Sequence, residues 1–336
     1  MIADAIAASG RNIWLACEAM MYMEDDGCSH STAADPKCAK NFSAGGPARL
    51  AAYRHLLAPG QCNSMTVKLD DVQNHFLPSD PPEADGLDGS VSGTIDFFGD
   101  NQDVLAAQVK PGHYNDPEWV LAGTSGQWMP DYRPKNHATS PTSPFVLTPS
   151  QTTTQFVLYS LLSVPLLLGL DFRRINQQPQ YADLRALLQN PEILAISQDA
   201  LSEQGRRLRS RPVVNSTLEV WSKNVTNGVA VVLFNHCRTP VCLGTHDVRA
   251  SMADLGLASW PTASVRDLIH RRDLPWAGTA GISAVLGADG VALFKISHVH
   301  RASISQAHKS DDTDGQPPPP CRGCPWMPRA VPSFLV

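Results

Sequence analysis

The chain has 336 residues, is 43% hydrophobic and 18% charged, and carries a formal net charge of −5. That balance suits a globular protein long enough for two domains, and without a basic cluster it gives no sign of a nucleic-acid partner. The longest apolar run, Phe156 to Leu170, holds 15 residues with Pro165 inside it, short of the ~20 that span a bilayer, so no membrane partner is expected.

Residues 1–9 read as the end of a helix stopped by Gly10. Neither a basic region nor a long apolar segment follows Met1, so no secretory leader is read there, and the chain reads as beginning inside a fold. Ile13-Trp14-Leu15-Ala16-Cys17 reads as a strand with Glu18 at its end. Residues 23–46 form a polar loop. From Ala48 to Leu57 the apolar residues Leu50, Tyr53, Leu56 and Leu57 recur at helical spacing.

The segment from Cys62 to Phe76 follows, with Asp70-Asp71 near its middle. On residue type alone such an acidic pair is what a helix N-terminus favours. Residues 77–93, with Pro78, Pro81 and Pro82, read as a loop. Ile95 to Val109 has a helical pattern, and Lys110-Pro111-Gly112-His113 turns into Tyr114-Asn115-Asp116-Pro117-Glu118-Trp119. Val120-Leu121-Ala122 reads as a buried strand piece, because strands covered on both faces are nearly continuous apolar runs. Pro117 fixes its own φ and keeps Asp116 out of the helical region. Two carboxylates therefore sit on a stiff turn beside a strand. A solvated turn is one reading of them; groups aimed at a ligand is the other.

Residues 125–150, rich in Pro, Ser and Thr, read as a loop, Gln151 to Leu162 as a helix and Val164 to Gly169 as a strand. Tyr181–Leu188 and Pro191–Ile196 read as helices. After Gly205 short β-rich runs appear at 218–221, 229–235, 282–286 and 291–296, the pattern of a small antiparallel domain. Residues 299–336 lose all periodicity, hold Pro317 to Pro320, and read as a disordered tail.

Of the eight cysteines, Cys28 and Cys38 fall in a polar loop, and Cys237 and Cys242 flank Arg238-Thr239-Pro240-Val241. Cys321 and Cys324 form a lone C-x-x-C, a weak zinc signal, and no metal is assigned. N-x-S/T sequons begin at Asn41, Asn215 and Asn224. Together with paired cysteines they favour a secretory or lysosome-like origin, with localisation otherwise open.

Several segments, in order, resemble glycoside hydrolase family 27, the α-galactosidases and α-N-acetylgalactosaminidases. Gly10-Arg11-Asn12-Ile13 leading to Ala16-Cys17-Glu18 is similar to the family's fifth barrel strand. The stretch from Tyr114 to Trp119 is similar to the seventh. Val164-Pro165-Leu166-Leu167-Leu168-Gly169 with Asp171, Arg173 and Arg174 is similar to the eighth. Leu188-Gln189-Asn190 through Ile196-Ser197-Gln198-Asp199 resembles the last barrel helix. Leu218-Glu219-Val220-Trp221 and Ala230 to Asn235 resemble the opening of the C-terminal β-domain.

The resemblance covers roughly residues 1 to 297. It implies a partial (β/α)8 barrel, about strands 5 to 8, over residues 1–201, then a small antiparallel β-sandwich over 202–298 and a tail, 299–336, with no family counterpart. It also implies a retaining hydrolase of terminal α-linked galactose, with no cofactor. Such enzymes use two carboxylates about 5 Å apart, one as nucleophile and one as acid and then base. Asp71 falls on the family's acid/base position, and a rival alignment places that acid at Asp85. Glu18, Tyr22, Asp116 and Glu118 fall on sugar-binding positions. Lys68 stands in for a substrate-orienting Arg that this chain lacks. Cys17 and Cys62 match a family disulfide.

This chain has Glu118 where the family has Asp, Trp119 where it has Met, and Ala19-Met20 where it has Trp-Pro. The loop after the fifth strand, which separates galactose from N-acetylgalactosamine, is altered and lengthened. The resemblance places the nucleophile on the fourth strand, before Met1, so a truncated copy is expected. A non-catalytic carbohydrate-binding or structural remnant is the alternative, and α-N-acetylgalactosaminidase a further one. Half a barrel would expose two sheet edges and an apolar face, which a homodimer could cover.

Overall fold

The computed structural model describes residues 2–18, 46–58, 60–67, 72, 76–77, 89–122, 147–170, 172–239, 242, 244–258, 262–276 and 278–298. These all belong to one compact unit ending at His298. The tail expected over 299–336 lies outside the described residues.

The first part is built of β/α units. Helix α1 (Ile2–Ser9) ends where Gly10 takes a left-handed φ of 63°. Strand β1 (Ala16–Cys17), helix α2 (Gly46–Leu56) and strand β2 (Ser64–Thr66) follow. Next come helices α3 (Val91–Asp100) and α4 (Gln102–Leu105), then strands β3 (Tyr114–Asp116) and β4 (Trp119–Val120). Helix α5 (Pro149–Leu161) leads to strand β5 (Leu167–Leu168). Every pairing among these strands is parallel: β1 with β2, β2 with β3, and β4 with β5. Parallel neighbours need a crossover, and the helices between them supply it.

The local chemistry explains the helix starts. Thr148 caps α5 in a capping box with Gln151, and Pro149 fills the first turn, where its missing N–H costs nothing. Ser90 caps α3 by accepting the Gly93 N–H at 2.8 Å. The helix expected from Ile95 to Val109 is two helices instead: the chain breaks at Asn101, whose side chain turns back to donate to the Phe97 carbonyl at 2.9 Å. The strands are shorter than expected. Only Ala16 and Cys17 of the 13–17 run are paired, and Ile13 and Trp14 are about half exposed. The 164–169 run pairs only at Leu167 and Leu168.

Helices α6 (Phe172–Gln177), α7 (Ala182–Leu188) and α8 (Pro191–Ser197) close this part. Asn190 caps α8, accepting from the N–H groups of Glu192 and Ile193. No helix among the described residues is long and apolar enough to cross a membrane.

The second part is all β: β6 (Arg206–Val213), β7 (Ser216–Val225), β8 (Gly228–Cys237), β9 (His246–Ala250), β10 (Ala263–Asp267), β11 (Arg272–Leu274), β12 (Ile282–Leu286) and β13 (Val291–His298). Six form one antiparallel sheet in the order β11-β10-β13-β8-β7-β6, and β12 pairs with β9 in a second. Strand β8 is central and apolar on both faces. Val229, Val231 and Leu233 point into the core between the two sheets. Ala230, Val232 and Phe234 point the other way, into a core shared with Phe156, Leu158 and Ile193 of the helices. Two-sided burial accounts for its unbroken apolar run.

A polar cluster sits between helix α3 and the sheet. Glu219, fully buried, accepts from Trp221 Nε1 at 2.7 Å and from Arg238 Nη2 at 3.0 Å, and pairs with His236 Nδ1 at 3.0 Å. His236 also bonds the Ser92 hydroxyl through Nε2 at 2.6 Å. Asp96 of α3 pairs with both Arg207 and Arg238.

Candidate active site

In barrels of parallel β/α units the groups that meet a ligand come from the C-terminal ends of the strands. Three of the residues expected to bind sugar lie at or just beyond such ends: Glu18 directly after β1, Asp116 as the last residue of β3, and Glu118 between β3 and β4. Glu18 is exposed, Glu118 partly buried and Asp116 only 4% exposed.

The strand starts are tied together first. Asn63 accepts the Leu15 N–H at 2.9 Å and donates to the Gly112 carbonyl at 3.0 Å, splicing the approach to β1 onto the approach to β3. The Cys17–Cys62 disulfide expected from the resemblance is formed, with its Cα atoms 5.9 Å apart, and links β1 to the segment before β2. Behind β3, Asn115 accepts from the Tyr53 hydroxyl and donates to the Leu105 carbonyl and to Gln204 Oε1. Side chains alternate along a strand, so a pinned Asn115 turns Tyr114 and Asp116 to the opposite face.

There Asp116 accepts twice. Its Oδ1 takes the Glu118 N–H at 2.8 Å, and its Oδ2 takes the Ser64 hydroxyl at 3.3 Å. Trp14 Nε1 donates to that same hydroxyl at 3.2 Å while its ring stacks on Tyr114, centroids 5.9 Å apart. Burial pushes the Asp116 carboxyl above the usual carboxylate range, and the Glu118 N–H and Ser64 hydroxyl pull it back only in part.

Glu118 has a φ of 71°, in the left-handed region that non-glycine residues seldom occupy. That backbone turn lets β3 pair with β2 and β4 pair with β5 from a single stretch of chain. It also sends the carboxylate back toward the segment after β2, where Oε2 accepts the Val72 N–H at 2.8 Å. Behind β4, Gln155 of α5 donates to the Trp119 carbonyl at 3.0 Å and accepts the Leu121 N–H at 2.9 Å, one amide fixing both ends of the turn.

Asp71, its rival Asp85, Tyr22 and Lys68 lie outside the described residues. Of the expected carboxylates the structure brings Asp116 and Glu118 onto one turn and sets Glu118 against Val72, the neighbour of Asp71 in the chain. Sequence reasoning did not single out Ser64 or Gln155, and took Trp14 only as a strand residue. Their partners lie 52, 34 and 50 positions away, and no local pattern marks them.

Among the described residues, Asp96, Glu219 and His236 are close enough together to hold a metal ion. Their oxygens already accept from Arg207, Arg238 and Trp221, and two guanidinium groups are the neighbours a bound cation least favours. Cys237 and Cys242 form a disulfide.

Residues 215–296 match the model of the alpha galactosidase C-terminal beta sandwich domain. The human alpha-N-acetylgalactosaminidase is 31% identical over 220 residues, 65% of this chain and 46% of the relative. Alpha-galactosidase 3 of Arabidopsis thaliana is 31% identical over 170 residues, 50% of this chain and 32% of the relative. The chain thus spans less than half the length of either. Among solved structures, a β-L-arabinopyranosidase of glycoside hydrolase family 27 from Geobacillus stearothermophilus superposes with a TM-score of 0.54. It shares 20% identity, over 75% of this chain and 48% of that one. A likeness at that identity speaks to the fold: a partial barrel followed by a β-sandwich.

Proposed function

We propose that this chain, which is similar to glycoside hydrolase family 27 over that family's C-terminal part, is a member of it and serves the retaining hydrolysis of terminal α-linked galactose. The observation that supports the reading is the turn after β3: Asp116 ends a parallel strand, its Oδ1 accepts the Glu118 N–H, and Glu118 holds the N–H of Val72, the residue that follows Asp71 in the chain. In this reading Asp71 is the acid that protonates the leaving oxygen and later the base that activates water. Glu18, Tyr22, Lys68, Asp116 and Glu118 hold the sugar hydroxyls. The chemistry needs a second carboxylate as nucleophile, and we assign that role to none of the described residues.

The test is hydrolysis of an aryl α-galactoside by the purified chain and by Asp71→Asn. Turnover that the substitution abolishes supports the assignment. Galactose binding without turnover would instead favour a carbohydrate-binding role. A second reading, N-acetylgalactosamine as the sugar, is favoured by the human relative's own activity as its name gives it. Competition between free galactose and free N-acetylgalactosamine separates the two sugars.

A further inference from the structure

We propose that Asn215 is an N-linked glycosylation site. Asn215-Ser216-Thr217 is a sequon, with a hydroxyl residue two places after the asparagine. Val213 pairs with Ser216, so Val214 and Asn215 alone form the tip of the β6–β7 hairpin. Asn215 is exposed and takes a φ of 58°, which asparagine tolerates better than most residues. Its carbonyl is held by the Arg238 N–H at 2.9 Å. Its side-chain amide makes no hydrogen bond among the described residues. The Cys237–Cys242 disulfide braces the strand beside it, and Ser216 bonds Cys242 Sγ. Asn215 therefore stands exposed on a braced hairpin tip, with Ser216 and Thr217 buried behind it and Thr217 Oγ1 accepting from Arg238 Nε at 2.9 Å.

Two further observations converge on the same place. The Cys17–Cys62 and Cys237–Cys242 disulfides fit an oxidising compartment, the kind in which such glycans are added. Val214, next to the acceptor, is 83% exposed, and β6 is the edge of its sheet. A glycan there would cover a bare apolar residue and block edge-to-edge pairing. The sequon at Asn224 differs. Its amide donates to Glu203 at 3.0 Å and the Thr226 N–H is bound by Asp199, so a glycan would displace existing bonds. Asn41 lies outside the described residues.

The transfer joins the Asn215 amide nitrogen to the anomeric carbon of an oligosaccharide supplied on a lipid diphosphate. The bond from that carbon to the diphosphate breaks, the diphosphate leaves with the electron pair, and the amide proton passes to a base of the transferring enzyme.

The experiment is expression of the full chain through a eukaryotic secretory route, followed by peptide mass mapping of cells and medium before and after peptide-N-glycosidase. The expected result is a glycan on the Asn215 peptide, absent in Asn215→Asp, which keeps the turn, and retained in Asn224→Asp. Thr217→Ser, which keeps the hydroxyl, retains it as well. An unmodified Asn215 peptide in wild-type chain from either fraction overturns the proposal, as does a glycan confined to Asn224.

Discussion

Glu118 accepts the Val72 N–H at 2.8 Å from a backbone held at a φ of 71°. The two facts pull in opposite directions when the side chain is removed. Glu118→Ala loses the carboxylate and keeps the left-handed strain; Glu118→Gly loses the carboxylate and releases the strain. Both should be less stable than the wild type, by about 1–3 kcal/mol for the bond lost at Val72. The glycine variant should be the more stable of the two by about 1 kcal/mol, inverting the usual order. Urea melts of the three proteins decide it, and an alanine variant more stable than the glycine variant would contradict the strained turn.

Lys223 places an ammonium on the carbonyl of Ile196 at 2.6 Å and on the Ser163 hydroxyl, at the C-terminal end of α8 and just after α5. Burial pulls it from 10.5 down to about 8, against the opposing charges of Asp199 and Glu203. The folded pKa is below the unfolded one, so between about pH 8 and 10.5 the unfolded chain holds a proton that the folded chain has released. Stability from this group therefore rises with pH across that window, by on the order of 3 kcal/mol at most. The difference in unfolding free energy between wild type and Lys223→Met should shift toward the wild type as pH rises. Parallel pH profiles would show that Lys223 titrates normally.

Glu219 is buried and touches Trp221, His236 and Arg238, whereas the Arg206–Asp103 pair lies in solvent with Asp103 92% exposed. Glu219→Ala leaves the buried His236 Nδ1 and Trp221 Nε1 without their carboxylate, while Arg207 and Arg238 keep Asp96, and should cost roughly 3 kcal/mol. Asp103→Ala should cost under about 1 kcal/mol. Thermal unfolding of both variants checks the contrast, and equal losses would mean that the buried cluster is no more than a surface ion pair moved inward.

The Cys17–Cys62 bridge closes a loop with a sequence separation of 45. In the chain-entropy account a loop of that length is worth about 4 kcal/mol. The Cys17→Ser, Cys62→Ser double variant should lose stability on that scale. Reduction of the wild type should lower its denaturation midpoint to the same value, and a midpoint indifferent to reductant would show that the bridge does not form in solution.

The sequence exposed the elements whose own residues carry the reason for them. Helix α5 has its cap, its first-turn proline and its apolar face within one stretch, and β8 shows two-sided burial as an unbroken apolar run. Strand β6 passed unread because Arg206, Arg207, Arg209 and Arg211 look like a solvated segment. Arg206, Arg207 and Arg209 are matched by Asp103, Asp96 with Asp100, and Asp254, carboxylates far away in the chain. Strands β10 and β11 hid behind Arg266 and Arg272 in the same way, paired with Glu192 and Asp267. At the site, Asp116 and Glu118 were legible as acids beside a strand. The left-handed backbone at Glu118 was not, because glutamate is no residue for it. Nor was the relay from Trp14 through Ser64 to Asp116, which exists only once three strands lie side by side.

Strand β8 works as a party wall. Its odd-numbered apolar residues face the other sheet and its even-numbered ones face the helices, so neither room can be emptied without opening the other. A fragment cut away near residue 202 would carry Trp221, Val232, Phe234 and Leu293 as a bare face in water. Heat should accordingly melt the helical and β-rich parts in one step, and evolution cannot trade the sandwich as an independent module without repainting one side of that wall.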